Sequence, residues 1–342
     1  MIESLRRSAG LSLIVWMLLI AAAPAAWADA AGPTDYRTDI VSVEPATSAF
    51  EVSMIGGDSF MRLEQLEPVE IVIVGYRGED YLRFDADGTV VENRRSPSTW
   101  LNEERYGTED ALPSFVDHEA PPQWSRVADN GRYAWHDHRS HWMNPQQPPG
   151  ADAGDQVLEA TVPLRVDGQD VTITVASYLL DDPPVWPGVI GAVLAAALGV
   201  VGLRGGRVPF TASVLLVAGL ALVLGAVAFR SVPPETEPER LLWLLPLVAV
   251  VALLVVTVVY NRLATTVYLD GLGVVAGATL IGWGVTRFDA LSRSLIPSDA
   301  PANLDRLAIG AALIVGAISA LRGFWGLAKP ERLIEPSPIE AA

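Results

Sequence analysis

The chain has 342 residues, a formal net charge of −16, 50% hydrophobic residues and no cysteine. The missing thiols exclude disulfides, thiolate zinc sites, iron–sulfur clusters and a cysteine nucleophile. The acidity argues against a nucleic-acid partner, because few cations are present to neutralise phosphates.

Residues 1–28 read as a secretory signal peptide. Arg6 and Arg7 supply the positive start, residues 11–23 the apolar stretch, and Ala26-Trp27-Ala28 the small-residue cleavage site. Residues 29–184 then hold 29 acids against 11 arginines, a net of −18, while the flanking segments are near neutral. The acidic part and the apolar part are therefore different domains.

Within the acidic part, residues 36–182 show short alternating runs split by turn signals. Residues 68–76 form the clearest strand pattern. Asp85-Ala86-Asp87-Gly88 and Asp167-Gly168 each separate two apolar alternating runs, which predicts two hairpins. Seven or eight strands without a helical period predict an all-β, immunoglobulin-like sandwich. Residues 94–130, rich in Pro, Ser, Asn and acids but holding Trp100, Tyr106 and Trp124, are expected to form a long ordered loop.

All four histidines fall in this domain: His118, His136, His138 and His141. On a strand, His136 and His138 would share a face. Such a pair is a workable metal-ligand set for copper or zinc, with His141 or His118 closing a third position. Met143 would add a soft sulfur favouring copper. The alternative is structural: an Asp137–Arg139 ion pair, flanked by His and Trp, that locks a loop onto the sandwich.

Five apolar runs follow, at residues 185–203, 208–229, 241–260, 264–285 and 307–327. Each is near the length of about 20 residues that crosses a bilayer as a helix. They predict an all-α, five-helix transmembrane domain. A signal peptide and an odd number of spans would place residues 29–184 outside the cytoplasmic membrane and the tail from 328 to 342 in the cytoplasm. Asp270 is the one clear ionisable group within a run, and its expected role is an interfacial carboxylate near a helix start. The runs contain no histidine or methionine, which excludes the usual axial ligands of a membrane haem. Gly273 and Gly277 fit a small-residue packing pair. No nucleophile elbow, phosphate-binding loop or His-Glu-x-x-His motif is present.

Residues 75–84, Gly-Tyr-Arg-Gly-Glu-Asp-Tyr-Leu-Arg-Phe, are followed by Asn93-Arg94-Arg95-Ser96-Pro97-Ser98 and then by the His-Asp-His-Arg-Ser-His-Trp-Met run at 136–143. Together these resemble a group of uncharacterised envelope membrane proteins of high-GC Gram-positive bacteria that share the His-Asp-His-Arg-x-His-Trp-Met run. The resemblance implies a secreted sandwich tethered to helices and no particular activity. A looser similarity, in fold and residue type, is to the copper-resistance β-sandwiches with His and Met ligands.

The functional expectation is a non-enzymatic, multi-pass envelope protein. Its outer sandwich would bind a ligand or an envelope protein partner, its helices would sit in the lipid bilayer, and nucleic acid would have no part. Two alternatives stay open: copper or other metal handling through His136, His138 and His141, and a membrane transporter or enzyme with an unrecognised site.

Overall fold

A computed structural model describes residues 31–107, 112–236, 238–259 and 267–329. The expected signal peptide and the tail beyond residue 329 lie outside the described residues, as does the junction at 260–266 between the third and fourth apolar runs.

The N-terminal domain is an antiparallel sandwich of ten strands: β1 Tyr36–Glu44, β2 Phe50–Ile55, β3 Phe60–Gln65, β4 Ile71–Val74, β5 Asp80–Phe84, β6 Val90–Asn93, β7 Trp124–Ala128, β8 Arg132–Trp135, β9 Gln156–Val166 and β10 Gln169–Leu179. One sheet has seven strands in the order β1-β10-β9-β4-β5-β6-β7, and the other has three, β2-β3-β8. Alternation sets the faces. Val171, Ile173 and Val175 of β10 point into the core, with Val162 and Leu164 of β9 beside them. Phe50, Met61, Leu63 and Trp135 answer from the smaller sheet. Both expected hairpins form. The Asp167-Gly168 turn has φ of 47° and 76°, the doubly positive backbone of a tight turn that matches strand twist.

The segment expected as one long loop carries two elements. Trp124–Ala128 pairs with β6 at the sheet edge. Pro97–Leu101 forms a short helix, α1, because the Ser96 hydroxyl caps the N–H of Ser98 and Pro97 takes the first helical position.

The C-terminal part has five helices long and apolar enough to cross a membrane: α2 Trp186–Gly205, α3 Arg207–Arg230, α4 Leu241–Val259, α5 Val267–Thr286 and α6 Ala302–Ala328. They follow the five predicted runs. Asp270 sits in the first turn of α5, where Arg207 at the start of α3 pairs with it at 2.7 Å. Its place in the first turn is the one expected, and its side chain is buried there. The α2–α6 contact depends on the lack of side chains at two glycines. A Cβ on Gly191 would overlap the Leu307 carbonyl, and one on Gly310 would overlap the Gly188 carbonyl.

The sandwich is seated on the loops between these helices. Thr34 and Leu295 exchange backbone hydrogen bonds of 3.0 and 2.9 Å. Asp35 is ion-paired with Arg293 and accepts the Ser294 N–H at 3.0 Å. Arg306 of α6 holds this loop in shape by donating to the carbonyls of Ala290, Arg293 and Ser294. A smaller apolar contact joins Phe60 and Ala134 to Val232 in the α3–α4 connection.

Replacing Gly191 by Val forces α2 from α6 and is expected to cost about 1–3 kcal/mol, as overpacking does. Gly219, beside which a Cβ would meet nothing within 4 Å, is the control. Thermal unfolding of the purified full-length protein should show a lowered midpoint for Gly191→Val and little change for Gly219→Val.

Candidate metal centre

The histidine run leaves the end of β8 and enters a single 3-10 turn, His138–Ser140. The strand geometry expected for His136 and His138 therefore does not apply. The reason is Asp137. Its carboxylate accepts the Arg139 N–H at 3.0 Å, caps the turn and ends the strand at Trp135. Arg139 then folds back on the same carboxylate in a two-pronged pair, Nε to Oδ1 and Nη2 to Oδ2, both 2.8 Å. Trp135 Nε1 donates to Asp137 Oδ2 at 3.1 Å, and Arg139 Nη1 donates to the Val74 carbonyl at 3.0 Å. Asp137 is fully buried. Burial alone would raise its carboxyl, but the Arg139 guanidinium and these hydrogen bonds hold it down at about 2. The ion pair expected under the structural alternative is thus present, and it shapes the turn that carries the histidines.

Tyr76, from the β4–β5 turn, supports the same turn. Its hydroxyl accepts the His138 N–H at 2.8 Å and donates to Asn102, while its ring stacks on the His138 imidazole with centroids 5.9 Å apart. Ser98 accepts the Tyr76 N–H at 2.9 Å and donates to Glu79 at 3.0 Å, and Ser96 donates to Glu79 as well. Glu79 therefore fixes α1 and Tyr76 to one another.

One ring nitrogen from each of His136, His138 and His141 lies within 4.8 Å of the others. One ring nitrogen of each histidine faces a backbone carbonyl, and a second carbonyl, that of Leu101, lies beside His138. His136 Nδ1 donates to Ser59 O at 2.7 Å, His141 Nδ1 to Trp142 O at 3.0 Å and His138 Nε2 to Glu104 O at 2.9 Å. A carbonyl only accepts, so each of these nitrogens carries the hydrogen and leaves the other with a lone pair. Nε2 of His136 and Nε2 of His141 are buried and have no hydrogen-bond partner among the described residues. Burial pushes His136 down to about 4 and His138 below its ordinary value. Burial, with the neighbouring His136 and the Arg105 guanidinium, takes His141 to about 2. All three are neutral at physiological pH, the ligating form of imidazole.

The other two ligand candidates have exposed side chains. His118 is exposed on the loop before β7, and Met143 is exposed two residues beyond His141. His118 does not join the three-histidine cluster. The carbonyls of Ser59, Glu104 and Trp142 carried no sequence signal, because any residue supplies a carbonyl. Tyr76 and Arg105 lie 62 and 33 positions before His138 and are brought in by tertiary folding alone.

Beside His136 opens a cleft of about 160 Å³, lined on the sandwich side by Tyr36, Ser59, Arg105 and Tyr106 and on the helix side by Asp289 and Arg293. Arg105 is ion-paired with the buried Asp58, and Tyr106 packs edge-on to His141 with centroids 6.3 Å apart.

Comparison with protein-family models, with curated proteins and with solved structures finds no match to the chain.

Asp137→Asn leaves the Arg139 charge buried without its counter-ion and is expected to destabilise the protein by about 3–5 kcal/mol. Equilibrium unfolding followed by tryptophan fluorescence checks this, since Trp135 donates to Asp137 directly.

Glu79 yields a pH prediction. Burial would raise its carboxyl, but the bond from Ser96 and the backbone N–H groups of Glu79 and Arg77 outweigh it and hold the group below its ordinary 4.5. A carboxyl that ionises more readily folded than unfolded stabilises the fold fully above pH 4.5. That contribution is lost as pH falls through the lower folded value. Glu79→Gln should lower the melting temperature at pH 7 and flatten its fall below pH 4.5 in calorimetric scans.

Proposed function

We propose that this is a membrane-anchored metal-binding protein whose β-sandwich holds one divalent transition-metal ion, zinc or copper, on His136, His138 and His141. The pair of buried, unpartnered Nε2 atoms on His136 and His141 carries this reading. A buried polar atom left without a partner is costly, and a bound cation removes that cost. The Nδ1–H···O=C bonds behind them are the outer support that metal-ligating histidines characteristically have. Zinc–nitrogen bonds of about 2.0–2.1 Å would set tetrahedral ligands about 3.3 Å apart, so an entering ion would draw the three rings inward. The three histidine donors are all nitrogen, which favours Zn(II) or Cu(II) over Cu(I).

The signal-like segment and the five helices support an extracytoplasmic sandwich in a multi-pass protein of the cytoplasmic membrane. The sandwich contacts the α3–α4 and α5–α6 connections. In an alternating bundle these lie on the side where α2 begins. A reporter fused after Ala342 should be active only in its cytoplasmic form, and activity of an export-dependent reporter there would reverse this orientation.

The decisive experiment is elemental analysis of the full-length protein in detergent after equilibration with Zn(II) or Cu(II). About one equivalent of metal is expected. His136→Ala/His141→Ala should bind none while keeping its circular-dichroism spectrum. Equal metal content in the wild type and the double variant would overturn the proposal.

A further inference from the structure

The three-histidine cluster and the cleft beside it make one site when charge and ligand number are considered together. Among the described residues, no carboxylate joins the three imidazoles. Three nearby acids are ion-paired: Asp137 with Arg139, Asp58 with Arg105 and Asp35 with Arg293. Three protein ligands leave the fourth tetrahedral position open, as in catalytic rather than structural zinc sites.

Three neutral imidazoles also bring no charge to offset the two positive charges of the ion. Arg105, a further positive charge, lines the same cleft as His136. A buried, uncompensated dication is unfavourable, and a ligand from outside the chain can bring the missing counter-charge. The cleft borders the cluster at His136, which lines it together with Ser59, Arg105 and Tyr106. Its volume, about 160 Å³, suits a ligand of a few non-hydrogen atoms. Among the described residues, the charged side chains on its walls are two acids, Asp35 and Asp289, and two arginines, Arg105 and Arg293. The walls are thus balanced, and attraction for an anion comes from the ion itself.

We infer that the metal centre, on the reading proposed above, has an open coordination position reached through this cleft, and that it takes a small monoanion of carboxylate size as its fourth ligand. Tyr106 lies against His141 and, at 41% exposure, forms the outer wall between that ligand and solvent. Asp289 and Arg293 make the opposite wall from the α5–α6 connection. The bound anion would therefore touch both the sandwich and the helical domain.

The test uses the full-length protein in detergent, loaded with Co(II), whose visible spectrum reports coordination. Azide is the probe and acetate the competitor. Azide should change the Co(II) bands saturably, and acetate should reverse the change. Pro145 is exposed and lines the cleft. Pro145→Trp should weaken the azide response by about tenfold or more while the Co(II) content stays at that of the wild type. A Co(II) spectrum insensitive to azide would overturn the inference and leave the metal reading standing, and so would an unchanged azide affinity in Pro145→Trp. Failure to bind Co(II) at all would instead overturn the metal reading, and the inference with it.

Discussion

The buried pair between Asp137 and Arg139 is the constraint on which the site depends. β8 ends at Trp135, and Asp137, still extended, caps the turn that follows. The chain turns within three residues and brings His141 back against His136, their ring centroids 4.5 Å apart. The guanidinium also reaches the Val74 carbonyl and lies over the Tyr76 ring at 4.9 Å. One side chain thus ties the small sheet, the β4 strand and the histidine turn together. A buried ion pair adds little stability relative to an apolar replacement, but its directional bonds make a single geometry strongly preferred. That exchange of stability for geometry suits a place where three imidazoles must face one another.

The support around the histidines follows the same logic in layers. Glu79 gathers the hydroxyls of Ser96 and Ser98, Ser98 holds the Tyr76 backbone, and the Tyr76 hydroxyl holds the His138 backbone. Each link is a hydrogen bond of a buried or half-buried group, costly to leave unmade. The imidazoles are oriented by three carbonyls from three different segments, at Ser59, Glu104 and Trp142.

Much of the architecture was legible because hydropathy and alternation report directly on burial. The two-sheet sandwich, both Asp-Gly hairpins and the five apolar helices follow from patterns of period two and from runs of about 20 residues. The last helix begins at Ala302 rather than 307, since its first turn is polar, and hydropathy does not register a turn held by an Arg287–Asp305 pair of 2.7 Å. Helix α1 was legible in principle, from Ser96 followed by Pro97, but a five-residue helix has no periodicity to read. The histidine run stood out by residue type. Its conformation did not, because strand alternation assumes the backbone continues, and one capping aspartate stopped it. The separation of His118 from the cluster is set by the tertiary path of its loop, which no local pattern encodes.

The seating of the sandwich bears on its freedom to move. A domain joined to a membrane anchor by one peptide swivels about that joint. Here the chain leaves β10 at Leu179 and enters α2 at Trp186, a short strap. Thr34 and Asp35, ahead of β1, are fastened separately to Leu295 and Arg293. Two attachments leave only rocking about the line between them. The apolar contact of Phe60 and Ala134 with Val232 adds a third support and removes the rocking. The domain is mounted like an instrument on three feet. Its height and tilt above the helices are fixed, and any load placed on it passes directly into the ends of α3, α5 and α6.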